Sequence, residues 1–255
     1  MKINKVKKLK NGKYEIITDF INIITYDDII IKYNLLYKKN IDNKLLKNIS
    51  DDTKFYDIYD DTVKYATKKV RCEKEIIDYL NKYEIDTNNK DIIIKKLKDT
   101  HVLNDRIYAR SYINDKLLFS KLSMNRIKED LISNNISIDI VLDEIEKVED
   151  YDEVSRLNNI VKKRINSNHK YSNYILKNKI INEMISLGYI YDDIIIALDS
   201  LMNTNDEYNK LIKEYNKLYF KYSKKYSEYE LERIIKNKLY TKGFKYDDIK
   251  KEDLI

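Results

Sequence analysis

The sequence predicts a mainly α-helical protein: tandem three-helix repeats forming a curved solenoid, preceded by a small N-terminal β-hairpin. Three observations carry this. The 255 residues hold no proline and three glycines, where average usage gives about 13 and 18. From Thr25 onward the apolar residues recur at helical spacing. One such pattern also returns at separations of 51, 53 and 55 residues, the mark of a repeat architecture. Isoleucine, lysine, asparagine and tyrosine are all encoded by AT-rich codons, so the placing of the glycines says more than the missing proline.

The first stretch is the β-like one. Asn11-Gly12 is the favoured type I′ hairpin dipeptide, set between Ile3–Leu9 and Tyr14–Ile24, and a third strand after Asp19 is compatible with the second run. Thr25 and Asp28 then make a capping-box-like start, and Ile29, Ile30, Tyr33, Leu36 and Tyr37 share one helical face.

The repeats follow. Segments 126–145, 179–201 and 234–249 share an apolar helix, a break, an aromatic or isoleucine, and a second helix. Ile127, Ile180 and Ile235 align, as do Leu131, Met184 and Leu239; a degenerate copy at 75–85 contributes Ile76 and Leu80. Each unit has room for a third helix. Its face carries Tyr108, Tyr112 and Ile113 in the first repeat, and Val154, Leu157, Val161 and Ile165 in the second. In the third it carries Tyr208, Leu211, Ile212, Tyr215, Leu218, Tyr219 and Tyr222. Gly188, Gly243 and Asn135 stand where first helices end, and a left-handed residue closes a helix there. Ser227 with Glu230 reads as a capping box for the last repeat. The resulting organisation is a hairpin plus helix over 1–50, a first repeat with its lead-in helix over 51–122, a second over 123–170, a third over 171–226 and a truncated one over 227–255.

Composition excludes several classes. Three dispersed glycines cannot write a phosphate-binding loop or a dinucleotide fingerprint. Cys72, His101 and His169 cannot make a zinc site of the usual spacing, and a single cysteine forbids an internal disulfide. There is no apolar signal segment and no run of 18 apolar residues; the reading is a soluble, cytoplasmic protein. Net charge is +6, with +6 in residues 1–50, −4 in 51–150 and +4 in 151–255. The basic ends suit nucleic acid, an acidic protein face or plain solvent.

Against this background the chain resembles the RecX family of regulatory proteins. LNDRIYARSYINDKL (103–117) resembles the family's first-repeat signature through Asp105, Tyr108, Ala109, Arg110 and Tyr112. RIKEDLISNNIS (126–137) is similar to the next repeat's opening, and RCEKEIIDYL (71–80) to the repeat entry, with Cys72 in place of threonine. The N-terminal hairpin and helix resemble the extension of the longer Firmicute-type members. His101, Asn135 and Glu84 stand where the family has glycine; the first two tolerate a left-handed backbone, and Glu84 leaves its turn open.

Side chains with chemical potential are few. His101 reads as a turn residue, His169 as a solvated loop residue and Cys72 as a partly buried thiol at a helix start. The paired aspartates (27-28, 51-52, 60-61, 192-193 and 247-248) read as helix-opening charges. Core packing accounts for the tyrosine stripe better than base stacking does. The clusters Lys68-Lys69-Arg71, Lys95-Lys96-Lys98 and Lys162-Lys163-Arg164 are either solvated or partner-facing. Arg110 either pairs with Asp105 or Asp115 or meets a partner.

The resemblance implies a non-enzymatic modulator, and specifically an inhibitor, of the RecA recombinase. A monomer would lodge in the groove of the RecA–DNA filament and restrain ATP hydrolysis and strand exchange, as part of DNA repair, recombination and the SOS response. It implies no cofactor, no metal and no membrane, with DNA met weakly or through the filament. The candidate partner-binding residues are Arg71, Tyr108, Arg110, Arg126, Lys128, Lys162, Lys163 and Arg164. The alternative is a helical nucleic-acid-binding module acting independently of RecA.

Overall fold

The computed structural model describes residues 1–168, 170–202, 207–245 and 249; His169 and the Asp247-Asp248 pair lie outside them. The chain forms two compact units, Met1–Ser111 with Asn134–Ile136, and Tyr112–Ser133 with Ser137–Ile255.

The first unit opens with an antiparallel sheet in the order β1-β2-β3, formed by Ile3–Lys8, Tyr14–Thr18 and Asn22–Thr25. The turn differs from the predicted type. The Gly12 N–H donates to the Leu9 carbonyl (3.1 Å) and the Leu9 N–H to the Lys13 carbonyl (2.8 Å). Gly12 is the one loop residue with positive φ, at 85°. Lys10, Asn11 and Gly12 therefore make a three-residue loop ending in a left-handed glycine bulge, not a two-residue type I′ turn. Val6, Ile16 and Ile23 share one register row and enter a core with Ile29, Ile30, Leu35, Ile41 and Ile49.

Helix α1 (Asp27–Lys32) lacks the expected threonine cap. The Thr25 hydroxyl lies 2.7 Å from that of Thr53, and Tyr26 holds the cap position without a side-chain bond. Asn34 turns left-handed (φ 53°), so the chain leaves helical phase. Leu35 is buried, whereas Leu36 and Tyr37 are exposed. Helix α2 (Asn43–Thr67) runs unbroken through the expected boundary at residue 50. It serves two cores, Ile49 in the first and Phe55, Ile58, Tyr59, Val63 and Ala66 in the next. That second core is completed by α3 (Glu73–Leu80) and α4 (Thr87–Asp99). Asp51-Asp52 and Asp60-Asp61 sit inside α2 rather than opening a helix, and Asp52 instead binds Lys32 (2.6 Å) and Tyr33 (2.8 Å). Helix α5 (Asp105–Phe119) starts at Asn104, whose side-chain oxygen accepts the Arg106 and Ile107 N–H groups at 3.0 and 3.1 Å.

The second unit contains α6 (Met124–Ser133), α7 (Ile138–Glu146), α8 (Glu153–Asn166), α9 (Asn173–Ser186), α10 (Tyr191–Leu201), α11 (Glu207–Tyr222) and α12 (Glu228–Thr241). All eight aligned first-helix positions, Ile76, Leu80, Ile127, Leu131, Ile180, Met184, Ile235 and Leu239, are at most 2% exposed. The packing groups, however, are shifted by one helix from the sequence repeats. Leu157, Ile160 and Val161 of α8 pack with α9 and α10. Leu211 and Leu218 of α11 pack with α12 and Phe244. The helix that comes third in the sequence pattern thus supplies the core of the pair that follows it, just as α2 does for α3 and α4. Val154, Tyr208 and Tyr219, expected on the buried stripe, are 61, 42 and 48% exposed. They lie at the edge of an apolar face narrower than the sequence stripe.

The turns follow their residue types. Gly188 and Gly243 have φ of 90° and 85°, and His101 and Asn135 have 57° and 64°. The turn before Glu84 closes through Lys82 N–H to Tyr79 and Tyr83 N–H to Leu80, with no left-handed residue there. Ser227 is the N-cap of α12 without accepting an amide; its hydroxyl donates to the Glu230 carboxylate (3.0 Å).

Candidate functional site

Two joints of identical construction fix the geometry of the second unit. The N-cap Ser123 donates its N–H to the Leu187 carbonyl (2.9 Å), and the N-cap Ser172 donates to the Lys242 carbonyl (3.0 Å). In each case the acceptor ends the first helix of the next repeat, and the following glycine presses on the serine. A Cβ at Gly188 would stand 2.6 Å from Ser123 Oγ and Arg126 Cβ; one at Gly243 would stand 2.6 Å from Ser172 Oγ and 2.5 Å from Ile175 Cγ1. A second device repeats alongside. Glu153, the first residue of α8, accepts the Met124 N–H (3.0 Å), and Glu207, the first residue of α11, accepts the Asn173 N–H (3.2 Å). Each carboxylate satisfies an otherwise orphaned helix-start amide and offsets the dipole. Sequence reasoning missed this strut, although an acid opening each third helix was its visible signal. Asp105 is the first-repeat counterpart, and its Oδ1 is buried without a hydrogen-bond partner.

The predicted partner-binding residues divide between internal and surface roles. Arg71 is internal. Its guanidinium lies 3.5 Å from the Tyr65 ring centroid, and Tyr65 in turn stacks on Tyr79 at 3.9 Å. Its Nε donates to the Tyr65 carbonyl (2.9 Å) and its Nη1 to Glu75 (3.1 Å). With a side chain only 11% exposed, Arg71 is built into the first unit. Glu75 also accepts the Cys72 N–H (3.2 Å), and Cys72 is wholly buried rather than partly so. Tyr108 is core as well, at 9% exposed. Arg110 is exposed on α5.

Arg126 stands at the Gly188 joint and pairs with Asp130 (3.3 Å) and Glu129 (3.4 Å). Asp130 also accepts the Tyr112 hydroxyl (3.1 Å). Burial, reinforced by that carboxylate, pushes the Tyr112 hydroxyl up to about 12. Lys128 is half-buried on the same helix.

The cluster on α8 lies at the surface. Lys162 and Lys163 are exposed, and Arg164 bonds Glu183 of α9 through Nε (3.0 Å). Lys163 and Arg164 line a cavity of about 710 Å³ with Lys121, Arg156, Asp150 and Asp152. Arg156, not singled out by the sequence, caps the end of α5 by donating to the Leu117 carbonyl (2.8 Å) and to that of Ser120. Asp152 is committed to the start of α8, accepting Ser155 N–H (3.0 Å) and hydroxyl (2.6 Å). With Arg164 paired to Glu183, Arg156 donating to carbonyls and Asp152 engaged in capping, Lys121 and Lys163 are the exposed cations of the groove and Asp150 its remaining carboxylate, a modest basic excess. Its rim is held by the Tyr189 hydroxyl, which donates to the Lys121 carbonyl (3.2 Å). Among the described residues no three His, Cys, Asp or Glu side chains are placed to hold a metal ion, and no helix is long and apolar enough to cross a membrane.

No family model matches the chain. It is 34% identical over 187 residues to a protein of Finegoldia magna named regulatory protein RecX, covering 72% of this chain and 91% of that one. A Lactococcus lactis protein of the same name is 30% identical over 255 residues, covering 97 and 94%. Among solved structures, the crystal structure of a regulatory protein RecX superposes with a TM-score of 0.67 at 18% identity. It covers 78% of this chain and 98% of that one, a likeness of fold.

Proposed function

This chain belongs to the RecX family of regulatory proteins, and on that premise we propose that it is a non-enzymatic modulator, specifically an inhibitor, of the RecA recombinase. It binds in the groove of the RecA–DNA filament, in the cytoplasm where RecA works, and restrains ATP hydrolysis and strand exchange. The observation that carries the reading is the near full-length likeness to the Lactococcus relative. The repeated joints of the second unit support it, because repeats that stack on their neighbours give a continuous surface for a helical target. Lys162, Lys163, Arg164 and Lys121 around the α8 groove are the contact residues best placed for an acidic filament face, with Arg126, Lys128 and Arg110 as further contacts. Arg71 and Tyr108 contribute by holding the first repeat in shape.

The test is RecA's single-stranded-DNA-dependent ATPase, measured at low salt with and without this protein. Hydrolysis is expected to fall as the protein approaches stoichiometry with RecA. An unchanged rate at several-fold excess contradicts the proposal. If the protein instead binds DNA tightly without RecA and leaves the ATPase untouched, the alternative of an independent nucleic-acid-binding module holds.

A further inference from the structure

The N-terminal sheet carries a surface that the filament reading does not use. In register, Lys5 lies beside Ile17 and Asn22, and Lys7 beside Glu15 and Ile24. Side chains alternate along a strand, so these rows face away from the core row of Val6, Ile16 and Ile23. Lys5, Lys7, Asn22 and Ile24 are exposed. At one end of the sheet three chain segments meet. The Asp19 N–H donates to the Lys2 carbonyl (3.2 Å) and the Ile3 N–H to the Lys39 carbonyl (2.9 Å). Next to these contacts, Phe20 is 77% exposed and Tyr37 is 81% exposed.

The nearby acids are hydrogen-bonded to neutral groups, Glu15 to Asn22 (3.1 Å) and Asp19 to the Lys2 N–H (2.8 Å), so they keep their charge but are outnumbered by the lysines. Among the described residues no salt bridge joins Lys2, Lys5, Lys7, Lys38 or Lys39 to a carboxylate. Two exposed aromatic rings, each adjoining a backbone contact at the lysine-bearing end of the sheet, match the two parts of a nucleotide, a flat base and a phosphate. An acidic polypeptide would satisfy the lysines and leave the rings unused. A duplex offers phosphates, but its bases are already stacked.

We propose that this face of the N-terminal sheet binds single-stranded nucleic acid, with the lysines on phosphates and Phe20 and Tyr37 stacking on bases. The inference does not rest on the RecA reading, and its test contains no RecA. Fluorescence anisotropy of a labelled oligothymidylate, titrated with the full chain at several salt concentrations, measures affinity and salt slope. Each single-strand phosphate contact contributes about 0.7 to the slope of log K on log salt, so Lys5→Gln/Lys7→Gln is expected to lower the slope by about 1.4. Phe20→Ala and Tyr37→Ala are each expected to weaken binding about tenfold, while Phe20→Tyr, which keeps a ring, retains it. Lys224→Gln/Lys225→Gln, exposed and distant in sequence, serves as the charge control and leaves affinity unchanged. Melting curves by circular dichroism check that every variant is folded. The proposal is overturned by an unchanged slope in the Lys5/Lys7 variant or by undiminished binding in both ring variants. It is also overturned if polyglutamate, or a duplex of the same length, competes as well as the single strand.

Discussion

Glycine shows most clearly what single residues contribute. Gly12, Gly188 and Gly243 all have φ near 85–90°, so each pays the same backbone strain on substitution, about 1–2 kcal/mol. Their surroundings differ. An added Cβ at Gly12 meets nothing within 4 Å, whereas at Gly243 it meets Ile175 and Ser172 at 2.5–2.6 Å. Gly243→Ala is therefore expected to destabilise by several kcal/mol through strain plus overpacking, and Gly12→Ala by only about 1–2 kcal/mol. Thermal unfolding of the two variants checks the order, and equal losses would show that the joint relaxes freely. The left-handed turns were legible because Gly, Asn and His announce them. The serine contacts were not, since a glycine's need for space depends on a residue 65 or 71 positions away. The largely buried setting of Arg71 was hidden for a related reason: it lies over Tyr65, which stacks on Tyr79, so the arrangement joins α2, α3 and the turn between them, and composition does not reveal such a fold-back.

At the scale of elements, the carboxylate strut links the start of a third helix to the start of a first helix. Glu153 and Glu207 complete it; Asp105, one methylene shorter, leaves Oδ1 buried and unpartnered. Burial raises its pKa above the ordinary carboxylate value, opposed by Lys98 and helped by Glu73. An acid whose folded-state pKa is raised keeps its proton in the folded protein after the unfolded chain has lost it. Stability therefore falls as pH rises from the ordinary carboxylate range through the raised value. Asp105→Glu, with reach enough to accept the Glu73 amide as its counterparts accept theirs, is expected to gain about 1 kcal/mol at neutral pH. Denaturant midpoints measured across the acidic range should show that gain growing as pH rises. A loss at every pH would mean that the site has no room for the longer side chain. Periodicity located the helices well because all eight aligned first-helix positions are buried. It misplaced Leu36 and Tyr37 because Asn34 resets the phase, and it misassigned the third helices because a stripe shows which face is buried but not which neighbour buries it.

For the whole molecule, the order of helices along the chain was readable, while which helices share a core was not. Cores form between α2 and the pair α3–α4, between α8 and the pair α9–α10, and between α11 and α12, so within each of these groups stability is shared across a repeat boundary. The candidate contact surface was half legible: Lys162, Lys163 and Arg164 were visible as a run, but Lys121 and Arg156 join them only through the fold. The most direct test of the central claim is co-sedimentation of this protein with RecA filaments assembled on single-stranded DNA with a non-hydrolysable nucleotide. The protein should pellet with the filaments and saturate. Lys162→Glu/Lys163→Glu, both positions exposed, should stay in the supernatant while melting like the parent. Recovery of the parent protein in the supernatant at every concentration would contradict the account, as would equal pelleting of the reversed-charge variant.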